Sequence, residues 1–221
     1  MNKPGNKPIA LEARDSEDGR LMSPSAARNL APIMAAFEVE NLTKGRVLEC
    51  GCGTGEHAAN LVKSHANLDW VATDLDLASV DSCRAWAEHF AIEDRLTARQ
   101  VDLSDPKELI SSGPFDLIYS SNVIHIAPTI VLNAIVGLAG RILTGDGQLV
   151  FYGPFSRDGL HTSDSNMAFD QRLRDRHREW GVRDLEGDVV PLAKKAGMEL
   201  KSVTAMPANN FFVVFSKESK G

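Results

Sequence analysis

The segment Val47-Leu48-Glu49-Cys50-Gly51-Cys52-Gly53-Thr54-Gly55 constrains the fold more than any other stretch of the chain. An apolar run ending in an acid and followed by three alternate glycines reads as a buried strand turning sharply into a helix. Only glycine lets the backbone bend so tightly and approach a ligand with no Cβ in the way. The spacing narrows the ligand. Counted from Gly51 and Gly53, the dinucleotide pattern G-x-G-x-x-G needs its third glycine at Glu56, whereas the glycine falls at Gly55. Glu49 would also repel a pyrophosphate and attract a cationic group.

From Arg46 onward, short β-branched or apolar runs alternate with longer amphipathic stretches, the signature of strand–helix–strand units and a parallel sheet. Strands are predicted over Arg46–Glu49, Asp69–Thr73, Leu96–Gln100, Phe115–Ser120 and Gln148–Tyr152, with helices over Ala58–Ser64, Ala78–Phe90 and Pro128–Leu143 between them. Leu200–Ala205 and Phe211–Phe215, separated by Pro207-Ala208-Asn209-Asn210, read as an antiparallel hairpin that closes the sheet. Before the first strand, Ser23 can cap a helix with Pro24 in its first turn. The expected architecture is a doubly wound α/β domain over 21–221, with a mostly parallel seven-stranded sheet. Residues 21–40 would form a helical lid, 153–190 a substrate-side insertion and 1–20 a flexible arm.

Composition excludes several classes. With 43% hydrophobic and 24% charged residues the chain can bury a core without disulfide or metal staples. No apolar run approaches the roughly 20 residues of a membrane span, and Met1 to Ala10 lacks an apolar signal core, so a cytoplasmic protein is expected. Three cysteines, Cys50, Cys52 and Cys83, suit a reducing compartment. A net charge of -6 disfavours an electrostatic grip on nucleic acid. The basic stretch Arg172 to Arg178, interrupted by Asp175, reads as a solvated helix face. No metal cluster is suggested, and monomer or homodimer stays open.

Acids at the ends of the next two strands extend the reading of the turn. Asp74 stands where a carboxylate can accept bonds from both hydroxyls of a ribose, with Asp76 the neighbouring alternative. Asp102 is placed to meet an adenine amino group, with Leu103 covering the ring, or else serves as a turn acid. S-adenosylmethionine has the ribose, the adenine and the ammonium group that would be drawn to Glu49. Asn122, past the fourth strand, lies at the crevice where ligands of open α/β sheets bind. His125 is a candidate proton acceptor with a packed histidine as its alternative, and His57 carries the same pair of readings.

Glu49-x-Gly51-x-Gly53-x-Gly55, Asp74, Asp102 and Asn122 together resemble the class I S-adenosylmethionine-dependent methyltransferases over Arg46 to Tyr152. A narrower resemblance runs through nearly the whole chain. Ser23-Pro24-Ser25-Ala26-Ala27-Arg28-Asn29, Gly53-Thr54-Gly55-Glu56-His57-Ala58, Ile124-His125-Ile126 and Tyr152-Gly153-Pro154-Phe155 look like the domain-of-unknown-function 938, or methyltransferase-like protein 26, family. The blocks His161-Thr162 to Asn166, Trp180-Gly181-Val182-Arg183-Asp184 and Met206-Pro207-Ala208-Asn209-Asn210 agree with it. The family's turn usually carries Ser at the place of Cys52 and Gln at that of Glu56.

The resemblance implies S-adenosylmethionine as cofactor, with Arg28, Asn29, Glu49, Gly51, Gly53, Gly55, His57, Asp74, Leu75, Asp102, Leu103 and Asn122 around it. The expected activity is in-line methyl transfer to a small molecule in a closed pocket, with Tyr152, His125 and Asn122 at the reacting centre. The polar blocks nominate Tyr152, His161, Asn166, Trp180, Arg183, Asn209 and Asn210 for the acceptor. Tyr152, Phe155, Phe169 and Trp180 are aromatic candidates for the sulfonium or for the core. Two alternatives remain: intramolecular cyclisation of S-adenosylmethionine to azetidine-2-carboxylate and methylthioadenosine, which enzymes of this fold resembling the chain perform, and a non-catalytic cofactor-binding module.

Overall fold

The structure, a computed structural model, describes residues 13–217. It opens with a hairpin, β1 (Asp15–Glu17) and β2 (Arg20–Met22), then helix α1 (Pro24–Val39). Ser23 caps α1 by accepting from the Ala26 N–H at 3.2 Å, with Pro24 in the first turn where no intrahelical N–H is lost. The hairpin departs from the expected flexible arm: Leu21 donates to Ser82 Oγ at 2.7 Å, and the Trp86 indole donates to the Leu21 carbonyl at 3.1 Å. Residues 1–12 of that arm lie outside the described residues.

The alternation then follows the expected course through β3 (Gly45–Cys50), α2 (Glu56–Ser64), β4 (Leu68–Asp74), α3 (Leu77–Phe90), β5 (Leu96–Gln100), the single turn α4 (Lys107–Ile110), β6 (Phe115–Ser121), α5 (Thr129–Ile142) and β7 (Leu143–Gly153). Leu143, expected to end a helix, instead begins a long strand. Beyond it come β8 (Phe155–Arg157), β9 (Leu160–His161), α6 (Asp164–Arg176), β10 (Arg183–Asp184), a π-helical turn (Leu185–Val189) and α7 (Val190–Lys195). The hairpin β11 (Met198–Met206) and β12 (Asn210–Lys217) closes the chain.

The seven-stranded sheet has the order β11-β12-β7-β6-β3-β4-β5. The strands from β7 across to β5 are parallel, and β12 pairs antiparallel with both β7 and β11. The order reverses between β3 and β6, which opens a crevice at their carboxyl ends. Side chains alternate between the faces as strand geometry requires. Along β7, Val150 and Tyr152 join Phe37, Trp70 and Phe212 in one core layer, while Leu149 and Phe151 join Ile118, Ile135 and Phe215 in the other. Residues 155–184 carry a separate three-stranded sheet, β10-β8-β9, next to the crevice. No helix among the described residues is long and apolar enough to cross a membrane.

Candidate active site

The three glycines after β3 meet three different demands. Gly51, at φ +83°, passes so close to Val123 that a Cβ would collide with that side chain. Gly55, at φ +77°, starts α2, and a Cβ there would lie 2.6 Å from the Cα of Cys83. Gly53, at φ +57°, has nothing within 4 Å of its missing Cβ and borders a cavity. The first two glycines pack the turn against the protein, and the third leaves room for a ligand.

That cavity holds about 1190 Å³ and lies along the carboxyl ends of the central strands. Arg28, Asn29, Glu49, Gly51, Gly53, His57, Asp74, Leu75, Asp102, Leu103 and Asn122 all border it; Gly55 alone of the expected cofactor residues does not. Asp74 accepts from the Gly53 N–H and the Asp76 N–H, each at 2.9 Å, so the turn and the acid fix each other. Asp76 caps α3 through the Ala78 N–H and takes Ser79 Oγ at 3.0 Å, which assigns it a structural role and leaves Asp74 facing the cavity. Asp102 accepts from the Ser104 N–H at 2.8 Å, as a turn acid does, and also borders the cavity. Of the two leucines that border the cavity here, Leu75 is exposed and Leu103 buried.

Burial dominates the charge state of the acid in the turn. Glu49 is 2% exposed, and loss of hydration pushes its carboxyl up to about 8 against an opposing hydrogen bond from the Trp70 indole at 3.0 Å. Nearby Asp74 adds to the upward push. Glu49 therefore holds its proton at neutral pH until a cation or donor replaces the lost water. His57 is half-buried, and this loss of hydration lowers its pKa; its Nε2 lies 2.9 Å from the Ala26 carbonyl and ties the start of α1 to α2. An acceptor carbonyl requires the proton on Nε2.

The other half of the cavity is bordered by residues that follow β6 and by the insertion. Asn122 adopts φ +57°, and its N–H donates to the Tyr152 carbonyl at 2.8 Å. His125 is buried against the edge of Phe169, its pKa lowered to about 3 by burial and by the Arg183 charge. That weakens its reading as a proton acceptor. Asn166, Trp180 and Asn210 border this half, as do Phe169 and Pro154.

Besides Gly55, five expected residues do not border the cavity. Tyr152, placed at the reacting centre from sequence, is a core residue whose hydroxyl accepts from Asn210 Nδ2 at 3.2 Å; burial raises its pKa to about 12. Phe155, an aromatic candidate, is likewise core. His161 places Nε2 3.6 Å from a carboxylate oxygen of Asp170. Arg183 spends its guanidinium on the carbonyls of Ile124, Ala127 and Glu179, at 2.7 to 2.9 Å, and so clamps the loop carrying His125. Asn209 points its side chain at Ser165 Oγ and offers its carbonyl to Asn166.

Other bordering residues went unread in the sequence. Arg14 reaches from the hairpin's start to Ser79 Oγ at 3.1 Å and Asp76 at 3.6 Å, from a stretch with the composition of a tail. Arg172, from the stretch read as a solvated face, stands 5.7 Å from the Phe169 ring. His177 and Glu179 border the cavity from exposed positions. No periodicity or motif marks any of the four.

The family model described as protein of unknown function (DUF938) matches residues 20–217. The chain belongs to the DUF938 family. Solved structures superpose on this DUF938 chain with the same architecture. An O-methyltransferase family protein from Burkholderia thailandensis is 14% identical, with a TM-score of 0.76 over 89% of this chain and 58% of that one. The S-adenosylmethionine-dependent methyltransferase SibL, in its apo form, is 17% identical, with a TM-score of 0.70 over 87% and 55%. An O-methyltransferase family 2 protein from Planctomyces limnophilus, solved with apigenin, is 18% identical, with a TM-score of 0.67 over 79% and 51%. The DUF938 chain spans a little over half the length of these proteins, and the likeness establishes the class I methyltransferase fold.

Proposed function

We propose that this protein is an S-adenosylmethionine-dependent methyltransferase acting on a small molecule. The observation that carries the reading is the continuity of one large cavity from the glycine turn to the aromatic walls of the insertion. Its volume of about 1190 Å³ exceeds the roughly 300–1,000 Å³ typical of small-molecule pockets, which suits two bound molecules. Intramolecular cyclisation needs no second substrate, so this volume weighs against it.

The residues present fit the cofactor. Gly53 leaves a cradle that a Cβ would fill, and the acids facing the cavity match a ligand bearing hydroxyls and an ammonium group. In this reading Arg28, which makes no ion pair with a described residue, receives the carboxylate, and Glu49 receives the amino group. Asp74 receives the ribose hydroxyls, Asp102 the adenine amino group, and Leu75 and Leu103 cover the ring. When bound, the cofactor supplies a methyl group on a sulfonium, an electrophile that needs alignment and dryness more than acid–base assistance. Helix α1 closes one side of the cavity, and residues 153–190 supply the acceptor side. Phe169 and Trp180 offer aromatic faces that stabilise positive charge and exclude water. Pairing with an ammonium group expels the Glu49 proton, so calorimetry in two buffers of different ionisation enthalpy will show proton release on binding.

The activity is tested by incubation with S-adenosylmethionine and candidate acceptors, followed by mass spectrometry. Acceptor-dependent S-adenosylhomocysteine supports the reading. Methylthioadenosine with azetidine-2-carboxylate, formed without any acceptor, would replace it with cyclisation, and tight binding with no product would leave a binding module.

A further inference from the structure

On the acceptor side of the cavity, the amide groups of two asparagines are turned the same way by their hydrogen bonds. Asn166 spends both N–H bonds of Nδ2 within the protein, on the Asn209 carbonyl at 2.9 Å and Thr162 Oγ1 at 3.1 Å. Asn210 gives its Nδ2 to the Pro207 carbonyl at 3.1 Å and the Tyr152 hydroxyl at 3.2 Å. A backbone carbonyl can only accept, so the network itself decides which atom of each amide is nitrogen. Each Oδ1 is left with no donor among the described residues, while both side chains border the cavity.

The turn that sets this arrangement is conformationally costly. Ala208 and Asn209 lie at φ +58° and +57°, in the left-handed region that non-glycine residues rarely occupy in succession. The Asn209 carbonyl holds Asn166, and the next residue is Asn210, so one strained turn fixes both amides. The strain is maintained where two acceptor oxygens are presented to a ligand.

Carbonyl oxygens welcome N–H and O–H groups and repel a carboxylate. Between the two donors, the proton decides. A hydroxyl must surrender its proton for its oxygen to attack; burial and the Arg183 charge disfavour the cation His125 would become, and the other bordering candidates, His177 and Glu179, stand at exposed positions. An amine in its free-base form already carries the attacking lone pair.

We propose that the methyl acceptor is a small amine with an apolar body, bound as the free base with its N–H groups on Oδ1 of Asn166 and Asn210 and its body against Phe169 and Trp180. This rests on the methyltransferase reading above. The nitrogen lone pair forms the N–C bond as the C–S bond of the sulfonium donor breaks, its electron pair passing to sulfur. The methylammonium product then releases one proton to water.

The test uses the full chain saturated with S-adenosylhomocysteine and three probes of one shape: benzylamine, benzyl alcohol and benzoate, followed by ligand-observed NMR in mildly alkaline buffer. Benzylamine is expected to bind about tenfold or more tighter than the alcohol, with benzoate weakest. Asn210→Ser and Asn166→Ser are expected to erase the preference without changing S-adenosylhomocysteine affinity. Asn210, the less buried of the two, carries the test should the Asn166 variant not fold. Equal or tighter binding of alcohol or benzoate, or no saturable benzylamine signal, overturns the proposal. A parallel incubation with S-adenosylmethionine separates the two levels: an O-methylated product from alcohol or benzoate overturns the amine class and leaves methyl transfer standing. Methylthioadenosine without S-adenosylhomocysteine overturns methyl transfer itself, and the amine class with it.

Discussion

The two halves of the cavity are built by different means. The half at the glycine turn comes from backbone turns that follow β3, β4 and β5 directly: Asp74 bonds to Asp76 and Asp102 to Ser104 within their own loops, and Gly53 bonds across to Asp74 in the neighbouring one. The half at the insertion is assembled from residues far apart in sequence, such as Arg183 gripping Ile124 and Asn166 gripping Asn209. The first kind of site is rigid wherever the sheet forms. The second depends on a few long-range side-chain clamps, and such a half can change what it holds without disturbing the glycine turn.

That contrast can be broken at four points, in descending order of expected effect. Gly55→Ala puts a Cβ 2.6 Å from Cys83 at a positive φ, so it is expected to cost about 3 kcal/mol or more in a urea titration. Arg183→Ala leaves three loop carbonyls without their donor and is expected to cost about 2 kcal/mol. S-adenosylhomocysteine affinity in that variant should stay within about twofold. A large loss of cofactor affinity in Arg183→Ala would show that the halves are coupled. Asp74→Asn should weaken S-adenosylmethionine binding about tenfold by calorimetry, while probe selectivity on the acceptor side is kept.

Last, each half supplies one limb of the pH–stability profile. His125, with a folded pKa of about 3 against an ordinary 6.5, binds its proton more readily when unfolded, so stability falls as pH drops from 6.5 toward 3. Glu49, at about 8 against 4.5, holds its proton when folded, so stability falls as pH rises from 4.5 toward 8. The two opposing slopes cancel between 4.5 and 6.5, where a plateau is expected, with limbs of about 1.4 kcal/mol per pH unit outside it. Glu49→Gln should flatten the alkaline limb and His125→Gln the acid limb, read from urea titrations across pH.

The same division governs what the linear sequence discloses. Strand endings, glycine spacing and the acids after β4 and β5 are local features, so Glu49, Gly53, Asp74 and Asp102 are legible from residue spacing alone. The hydrophobic period located every strand of the main sheet, although Leu143 went to the wrong element because an apolar residue fits either period at a junction. In the insertion, polar residues were visible, but which of them faced inward was not. His161 and Arg183 are as polar as Asn166, yet neither borders the cavity, and Arg183 gives its guanidinium to loop carbonyls instead. Tyr152 follows the strand period into the core, a consequence of register with β12 that only pairing reveals. Arg14 and Arg172 come to the cavity through the hairpin's docking on α3 and through Phe169, contacts that leave no mark in a linear pattern.

The central claim is that the turn after β3 is a cradle for S-adenosylmethionine, with Gly53 open to the ligand. Calorimetric titration of S-adenosylhomocysteine into the wild-type protein and Gly53→Ala tests it most directly. The expected result is one saturable site in the wild type, weakened about tenfold or more by a Cβ that meets no protein atom within 4 Å, with only about 1–2 kcal/mol of stability lost to the left-handed backbone. Equal affinity in the two proteins, or no binding by the wild type, would contradict the account.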